Sequence, residues 1–163
     1  MATIVLTGGG TAGHIMPNLA IIGELRKYFD SIHYIGGDGM EKELVAKENI
    51  IFHQVPCVKF NRNHLLKNFQ IPFTLTKGIN EAKKIMSILG PNVVFSKGGY
   101  VALPACFAAK SLKIPLVCHE SDYSMGLANK LVSGFAKKVL TSFEETEGGE
   151  FVGNPIRTNI LQN

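Results

Sequence analysis

Residues 3–14 read TIVLTGGGTAGH, an apolar, β-branched run followed by four glycines within six residues and then a histidine. Short apolar runs of this kind form buried strands, and glycines after a strand let the backbone approach a ligand closely. The amides of such a loop, with the N-terminus of the helix that follows, bind anions. This segment therefore predicts a first strand over residues 3–7 and an anion-binding loop over residues 8–13.

The alternation of strand and helix continues along the chain and indicates repeated βαβ units. Predicted strands cover residues 3–7, 31–36, 50–55, 92–96, 115–120, 137–142 and 150–155, and predicted helices cover residues 17–28, 39–49, 76–90, 101–112 and 126–136. The 163 residues are 45% hydrophobic and 18% charged, a composition typical of one globular domain. We predict an α/β fold with a Rossmann-like, doubly wound parallel sheet.

Composition narrows the class of protein. No apolar run approaches the ~18 residues of a spanning helix, and the first segment is too short for a signal peptide, so we expect a cytosolic chain. Cys57, Cys106 and Cys118 have no metal or redox spacing and are expected to be reduced. The net charge of +4 favours phosphate-bearing partners or an anionic membrane surface.

The glycine loop also matches a dinucleotide-binding pattern. Gly8, Gly10 and Gly13 fit G-x-G-x-x-G, so an NAD(P)-dependent oxidoreductase is one hypothesis. Two features count against it. Pro17 predicts a helix start downstream of the glycines, and the second strand ends in glycine, with Asp38 displaced from the position that binds ribose.

Two further segments place polar groups at strand ends. Gly98 and Gly99 follow the fourth strand, and HESD, with His119, Glu120 and Asp122, follows the fifth. Because parallel strands end at one edge of a sheet, a ligand with phosphate groups should lie across both glycine loops. His14 is predicted to be functional, whereas Glu120 and Asp122 could instead cap the following helix.

Four motifs in order, GGTAGHIMPNLAI, KGGYVALPA, HESD with GLANK, and VGNPIRTNIL, closely resemble the N-terminal domain of the MurG family. The resemblance covers essentially the whole chain. It implies the N-terminal half of a GT-B glycosyltransferase that transfers N-acetylglucosamine, with inversion, from UDP-N-acetylglucosamine to lipid I to give lipid II in peptidoglycan synthesis. Residues 1–163 would be the acceptor-binding domain, and residues 154–163 the start of a linker to a donor-binding C-terminal domain absent from this chain.

The resemblance also implies which residues bind substrate. The two glycine loops are associated with the acceptor diphosphate, Thr11, Ala12 and Gly13 also match donor-contacting positions, and Arg157 matches an arginine near the donor diphosphate. The positions expected to bind substrate are Gly9, Gly10, Thr11, Ala12, Gly13, Gly98, Gly99, Tyr100, Asp122, Asn129 and Arg157. Ala12 and Asp122 depart from the glycine and asparagine of many relatives, and an ionised aspartate cannot donate a hydrogen bond to a sugar.

Inverting transfer needs a base for the acceptor hydroxyl. His14 is the candidate by residue type, although it could equally donate to the diphosphate, and Glu120 or Asp122 is the alternative. We expect no metal and no other cofactor, so the charge of the leaving UDP would be met by amides, helix ends and Arg157.

Residues 59–77 interleave apolar and basic side chains, which suits docking of a peripheral protein on the anionic cytoplasmic face of the plasma membrane. A buried helix with a solvated rim would show the same pattern. The expected partners are UDP-N-acetylglucosamine, lipid I, that membrane surface and a C-terminal GT-B domain, with no nucleic acid. The isolated domain should be inactive alone, and a non-catalytic membrane-recruiting subunit of a split transferase is the second hypothesis.

Overall fold

A computed structural model describes residues 1–57 and 70–155. Within them, seven strands form one parallel sheet in the order β3-β2-β1-β4-β5-β6-β7. The strands are β1 Thr3–Thr7, β2 Ser31–Gly36, β3 Ile51–Gln54, β4 Val93–Ser96, β5 Leu116–Glu120, β6 Lys138–Thr141 and β7 Glu150–Phe151. The order reverses between β1 and β4, which is the topological switch point where open α/β sheets bind ligands.

The helices connect successive strands on the two faces of the sheet. They are α1 Ala12–Ala20, α2 Ile22–Leu25, α3 Met40–Val45, α4 Ile71–Leu89, α5 Leu103–Ser111 and α6 Leu127–Ser133, with 3-10 turns at Ala46–Glu48 and Tyr100–Ala102. Within residues 1–57 and 70–155, no helix is long and apolar enough to cross a membrane.

Strand β1 lies at the centre of the sheet and is buried on both faces. Side chains of a strand alternate between faces, so Ile4 and Leu6 pack on one side with Ile15 and Leu19 of α1. Val5 points to the other side, into the core formed with α4 and α5. Strand β1, which leads into the first glycine loop, is therefore packed between two apolar layers.

The start of α1 corrects the predicted helix. It begins at Ala12, inside the glycine loop, with Thr11 as N-cap, and Pro17 lies within the helix rather than at its first turn. Because Pro17 has no N–H, the carbonyl of Gly13 receives no helical hydrogen bond from it. The hydroxyl of Ser121 donates to that carbonyl instead, at 3.5 Å.

Other boundaries differ at the ends of elements. Helix α4 begins at Ile71 rather than at residue 76 and ends at Leu89, one residue before the predicted end, with Gly90 as its C-cap at φ 56°. The predicted helix over residues 17–28 breaks at Ile21 and ends at Leu25. Strand β7 is limited to Glu150–Phe151, because Val152 and Gly153 both turn their amides to the carbonyl of Thr141.

Two helical glycines should respond oppositely to alanine. A Cβ at Gly78 would clash with the carbonyl oxygen of Pro56 and lie 3.1 Å from Pro104, so Gly78→Ala should lower the free energy of unfolding by about 1–3 kcal/mol. Gly23 has open space around it, so Gly23→Ala should raise that free energy by up to about 1 kcal/mol. Urea unfolding followed by circular dichroism measures both, and equal effects of the two variants would contradict the packing described.

Candidate functional site

The two glycine loops meet at the carboxyl ends of β1 and β4. The amide of Lys97 donates to the carbonyl of Thr7 at 3.0 Å, which joins the two strand ends. A Cβ at Gly99 would clash with the carbonyl oxygen of Gly9 and lie 3.3 Å from Nδ1 of His14. Gly99 also adopts φ +78°, a left-handed conformation that favours glycine. The loops can come this close because residue 99 has no side chain.

A pocket of about 430 Å³ opens at this junction. Its lining comprises Gly9, Gly10, Thr11, His14, Gly99, Tyr100, Val101, Glu120, Asp122, Gly126, Leu127, Ala128 and Asn129. Within residues 1–57 and 70–155, the amides of Gly9, Gly10, Thr11 and Gly99 donate no hydrogen bond. Free amides beside the start of a helix form a concavity that suits an anion.

The pocket brings together nine of the residues that the sequence singled out. Ala12 and Gly13 lie on the first turn of α1, outside the lining. Gly98 lies outside it as well, where an added Cβ would come within 2.8 Å of the amide of Asn129. Arg157 lies outside the described residues, as do residues 58–69 of the predicted membrane segment and most of the predicted linker.

His14 is half-buried on the first turn of α1 and lines the pocket. Its Nδ1 lies 2.9 Å from the hydroxyl oxygen of Thr11. If Nδ1 carries the proton and donates to Thr11, Nε2 is free to accept a proton from a substrate. If the hydroxyl donates to Nδ1, Nε2 carries the proton and can donate to a phosphate. The orientation of the Thr11 hydroxyl therefore separates the two roles predicted for His14.

Glu120 is buried, and both of its carboxylate oxygens are engaged. Oε1 accepts from the amide of Asp122, and Oε2 accepts from the amide of Gly126 and the side chain of Asn129, each at 2.9 Å. Burial alone would raise the pKa of Glu120, but these hydrogen bonds and one from the Ser121 amide outweigh it and lower the pKa. Glu120 thus holds together the loop between β5 and α6.

Asp122 and Asn129 are two further polar residues of the pocket lining. Asp122 is exposed at the pocket, and within the described part of the chain its carboxylate has no hydrogen bond. Asn129 is buried, and its Nδ2 donates to Glu120. Its Oδ1 is a buried oxygen and has no partner among the described residues.

Sequence reasoning missed two buried charged residues beside the loops. Glu41 lies under the first loop, where it accepts from the amide of Gly37 at 3.0 Å, and an added Cβ on Gly9 would be 2.9 Å from its Oε2. Lys97 lies immediately before Gly98 and is fully buried. The position of Lys97, between a buried strand and a glycine pair, could have indicated from the sequence that it is buried. Glu41 gave no such indication, because an acid in the first turn of a helix is common.

The model of the glycosyltransferase family 28 N-terminal domain matches residues 4–141. The chain belongs to this family.

Relatives of this family 28 domain agree closely in sequence. It is 48% identical to a protein of Lachnoclostridium phytofermentans over 99% of this chain, and 47% identical to one of Clostridium botulinum over 97%. Both are named UDP-N-acetylglucosamine--N-acetylmuramyl-(pentapeptide) pyrophosphoryl-undecaprenol N-acetylglucosamine transferase. The chain spans about half of their length, 47% and 46% respectively.

The crystal structure of Acinetobacter baumannii MurG superposes with a TM-score of 0.83 at 28% identity, covering 97% of this chain and 47% of that one. These comparisons confirm the predicted fold class and the resemblance to the N-terminal domain of MurG. The matched family is described as a glycosyltransferase N-terminal domain.

The comparisons do not support the oxidoreductase hypothesis. One argument that the sequence offered against it was wrong, because the helix does open within the glycines, at Ala12. The other argument holds, since β2 ends at Gly36 and the acidic Asp38 lies beyond the strand.

The hydrogen bonds of Glu120 predict a pH-dependent effect of Glu120→Gln. At pH 7 the variant should lose about 1–3 kcal/mol of unfolding free energy, because an amide places an N–H against donors that the carboxylate accepts. Since the folded-state pKa is lowered, the ionised carboxylate stabilises the fold above pH 4.5 and loses this contribution as the pH falls through the folded pKa. The difference from wild type should therefore shrink below pH 4.5.

Urea unfolding between pH 3 and 7 measures this difference. Glu24→Gln is the matched control, because Glu24 forms an exposed ion pair with Lys27 at 2.7 Å and should change stability by no more than about 1 kcal/mol. A loss in Glu120→Gln that is the same at every pH would show that the ionised carboxylate does not hold the loop.

Proposed function

We propose that the chain is the acceptor-binding N-terminal domain of an inverting N-acetylglucosaminyltransferase. The complete enzyme would transfer N-acetylglucosamine from UDP-N-acetylglucosamine to lipid I and form lipid II. The proposal is supported by membership of the family, by the names of relatives at 47–48% identity, and by the similarity to a MurG structure. Because the chain spans only about half of those relatives, the activity belongs to the longer protein.

The observation that carries the proposal is the set of four free amides around one pocket. Gly9, Gly10 and Thr11 come from the first loop and Gly99 from the second, so the amides converge from two strands. A diphosphate carries its charge on two neighbouring groups, and two adjoining amide clusters match that shape. Helix α1 adds the positive end of its dipole at the first loop.

His14 is the proposed base. It sits at the contact between the loops, so a sugar whose diphosphate occupied the amides would present its hydroxyls nearby. A base must accept a proton, and Nε2 of His14 can do so when Nδ1 donates to Thr11. Glu120 is a weaker candidate because its lone pairs are engaged and its pKa is lowered. Asp122 remains the alternative, with a carboxylate exposed at the pocket.

The donor and the membrane complete the proposal. The UDP-sugar would be held mainly by the other GT-B domain, with Thr11, Ala12, Gly13 and Arg157 contributing from this side. Docking on an anionic membrane would bring the lipid-linked acceptor to the pocket. The described end of the predicted membrane segment lies at the start of α4, where Phe73 is 79% exposed. The expected location is the cytoplasmic face of the plasma membrane.

Transfer activity is the direct test. The chain is joined to the C-terminal half of the Lachnoclostridium phytofermentans relative and given UDP-N-acetylglucosamine labelled in the sugar, with a soluble lipid I analogue. We expect the label to appear in the acceptor with inverted configuration, and none with either half alone. An acceptor that binds the chain but is never glycosylated by the joined protein would favour the recruiting-subunit hypothesis.

Anion binding can be tested on the 163-residue chain. Titration with inorganic pyrophosphate should shift the ¹⁵N-amide signals of Gly9, Gly10, Thr11 and Gly99, because these amides donate to no acceptor in the part of the chain that the structure describes. Gly99→Ala should weaken binding at least about tenfold, since a methyl group there forces the loops apart. Gly134→Ala, at a glycine with open surroundings, is the control. Shifts confined to surface lysines would contradict the proposed cradle.

Two variants of His14 distinguish a base from a phosphate donor in the joined protein. His14→Ala should lower kcat by about 10²–10⁴-fold if His14 is the base. Gln keeps an N–H near the position of Nε2 but cannot take a proton at neutral pH. His14→Gln should therefore be as impaired as His14→Ala. Substantial activity in His14→Gln alone would identify His14 as a hydrogen-bond donor to the diphosphate.

A further inference from the structure

Lys97 is fully buried behind the second glycine loop and does not line the pocket. Its Nζ lies 2.5 Å from Nδ1 of His119 and 3.3 Å from Oδ1 of Asn154. These partners come from the last residues of β5 and from the segment after β7. One side chain therefore reaches across three separate parts of the chain.

The second ring nitrogen of His119 fixes how this contact is made. Nε2 lies 2.8 Å from the carbonyl oxygen of Gly153, which can only accept, so Nε2 carries the proton. Nδ1 is then an acceptor, and Lys97 donates to it. His119 is buried and is held in a single tautomer between Lys97 and Gly153.

The charges agree with this arrangement. Burial lowers the pKa of Lys97 to about 8, while the carboxylates of Glu120 and Asp122 act to raise it. Burial and the charge of Lys97 lower the pKa of His119, against the hydrogen bond to Gly153 and the charge of Glu120. At neutral pH a lysine ammonium thus donates to a neutral imidazole, and hydrogen bonds from a charged donor are stronger than neutral ones.

Lys97, His119, Gly153 and Asn154 are called the exit clasp, because the described chain leaves the sheet at this point. The amides of Val152 and Gly153 both donate to the carbonyl of Thr141, which sets the chain on a turn away from β7. In the exit clasp, Lys97 contacts Asn154 directly and Gly153 through the ring of His119. Gly98 and Gly99 of the second loop follow Lys97 directly, so the loop and the exit share one anchor.

We propose that Lys97 is a positioning residue that, through His119, fixes the course of the exiting chain relative to the second glycine loop. The consequence for transfer rests on the proposed function, in which a donor-binding half follows the described residues. A fixed exit would then align that half with the pocket.

The first test is the ¹⁵N spectrum of the His119 ring in the 163-residue chain. We expect the two separate nitrogen signals of one neutral tautomer, protonated at Nε2. Lys97→Met keeps the length of the apolar stem and removes the donor to Nδ1, so it should shift the signal of the unprotonated Nδ1, while the Gly153 carbonyl keeps the proton on Nε2. Lys137→Met, at an exposed lysine, should leave both signals unchanged. A His119 spectrum unchanged in Lys97→Met would overturn the proposal.

Hydrogen exchange provides a readout in a variant that spares the core. Asn154 is exposed, so Asn154→Ala should fold normally and speed exchange at the amides of Val152 and Gly153 by several-fold. Lys97→Met should speed it about tenfold or more, because it removes a charged donor. Asn154→Asp, which places a carboxylate beside the ammonium, should slow exchange. Rates that are the same in all three variants would contradict the clasp.

Transfer by the joined protein tests the functional part. Lys97→Met should lower kcat about tenfold while the affinity of the chain for pyrophosphate stays within about twofold. Unchanged kcat with an altered His119 spectrum would limit Lys97 to a structural role and overturn its positioning role. Inactivity of the unsubstituted joined protein would count against the proposed function, while the spectral and exchange results would still decide the clasp.

Discussion

The close approach of Gly99 to the carbonyl of Gly9 is the constraint on which the site depends. The parallel sheet brings the ends of β1 and β4 side by side, but neighbouring strand ends alone would leave two separate turns. The missing side chain at residue 99 lets the turns touch, and the amide of Lys97 secures them through Thr7. Four free amides then share one concavity. Any substituent at residue 99 acts on the whole cradle and not on one loop.

Much of this fold is readable from local sequence. The runs at residues 3–7 and 31–36 are rich in β-branched and aromatic residues and are almost wholly buried in the middle of the sheet, and their strands match the predicted limits. The helix start predicted from Pro17 is wrong, because proline favours the first turn of a helix but Pro17 lies inside α1. Thr11 was the better signal, since threonine favours the N-cap position and the glycines before it leave the helix free to begin early. Strand β7 is short because Val152 and Gly153 both donate to the carbonyl of Thr141. No local sequence pattern predicts this turn.

The location of the site could be predicted from the sequence, but the roles of its residues could not. Glycine pairs after two strands locate the pocket, because strand order brings their ends together. The order of His14, Glu120 and Asp122 depends on burial and on hydrogen bonds that form only after folding. The position of Glu120 at a strand end suggests a functional acid, yet its oxygens accept hydrogen bonds from Asp122 and Gly126 of the next loop and from Asn129 of α6. Lys97 finds its partners at residues 119 and 154, too far along the chain for any motif to reveal.

The charges around the pocket bear on which phosphate groups this domain could bind in the proposed GT-B enzyme. Among the described residues, the lining contains the acids Glu120 and Asp122 and no lysine or arginine. The nearest buried cation, Lys97, is turned toward the exit clasp. An acceptor diphosphate would therefore be held by backbone amides and by the N-terminus of α1, without a positively charged side chain from the described lining. The charge that develops on the leaving UDP would need further preorganised donors or cations placed at the donor diphosphate. In the proposed enzyme, those groups would lie outside the described residues, with Arg157 and the donor-binding half as the candidates.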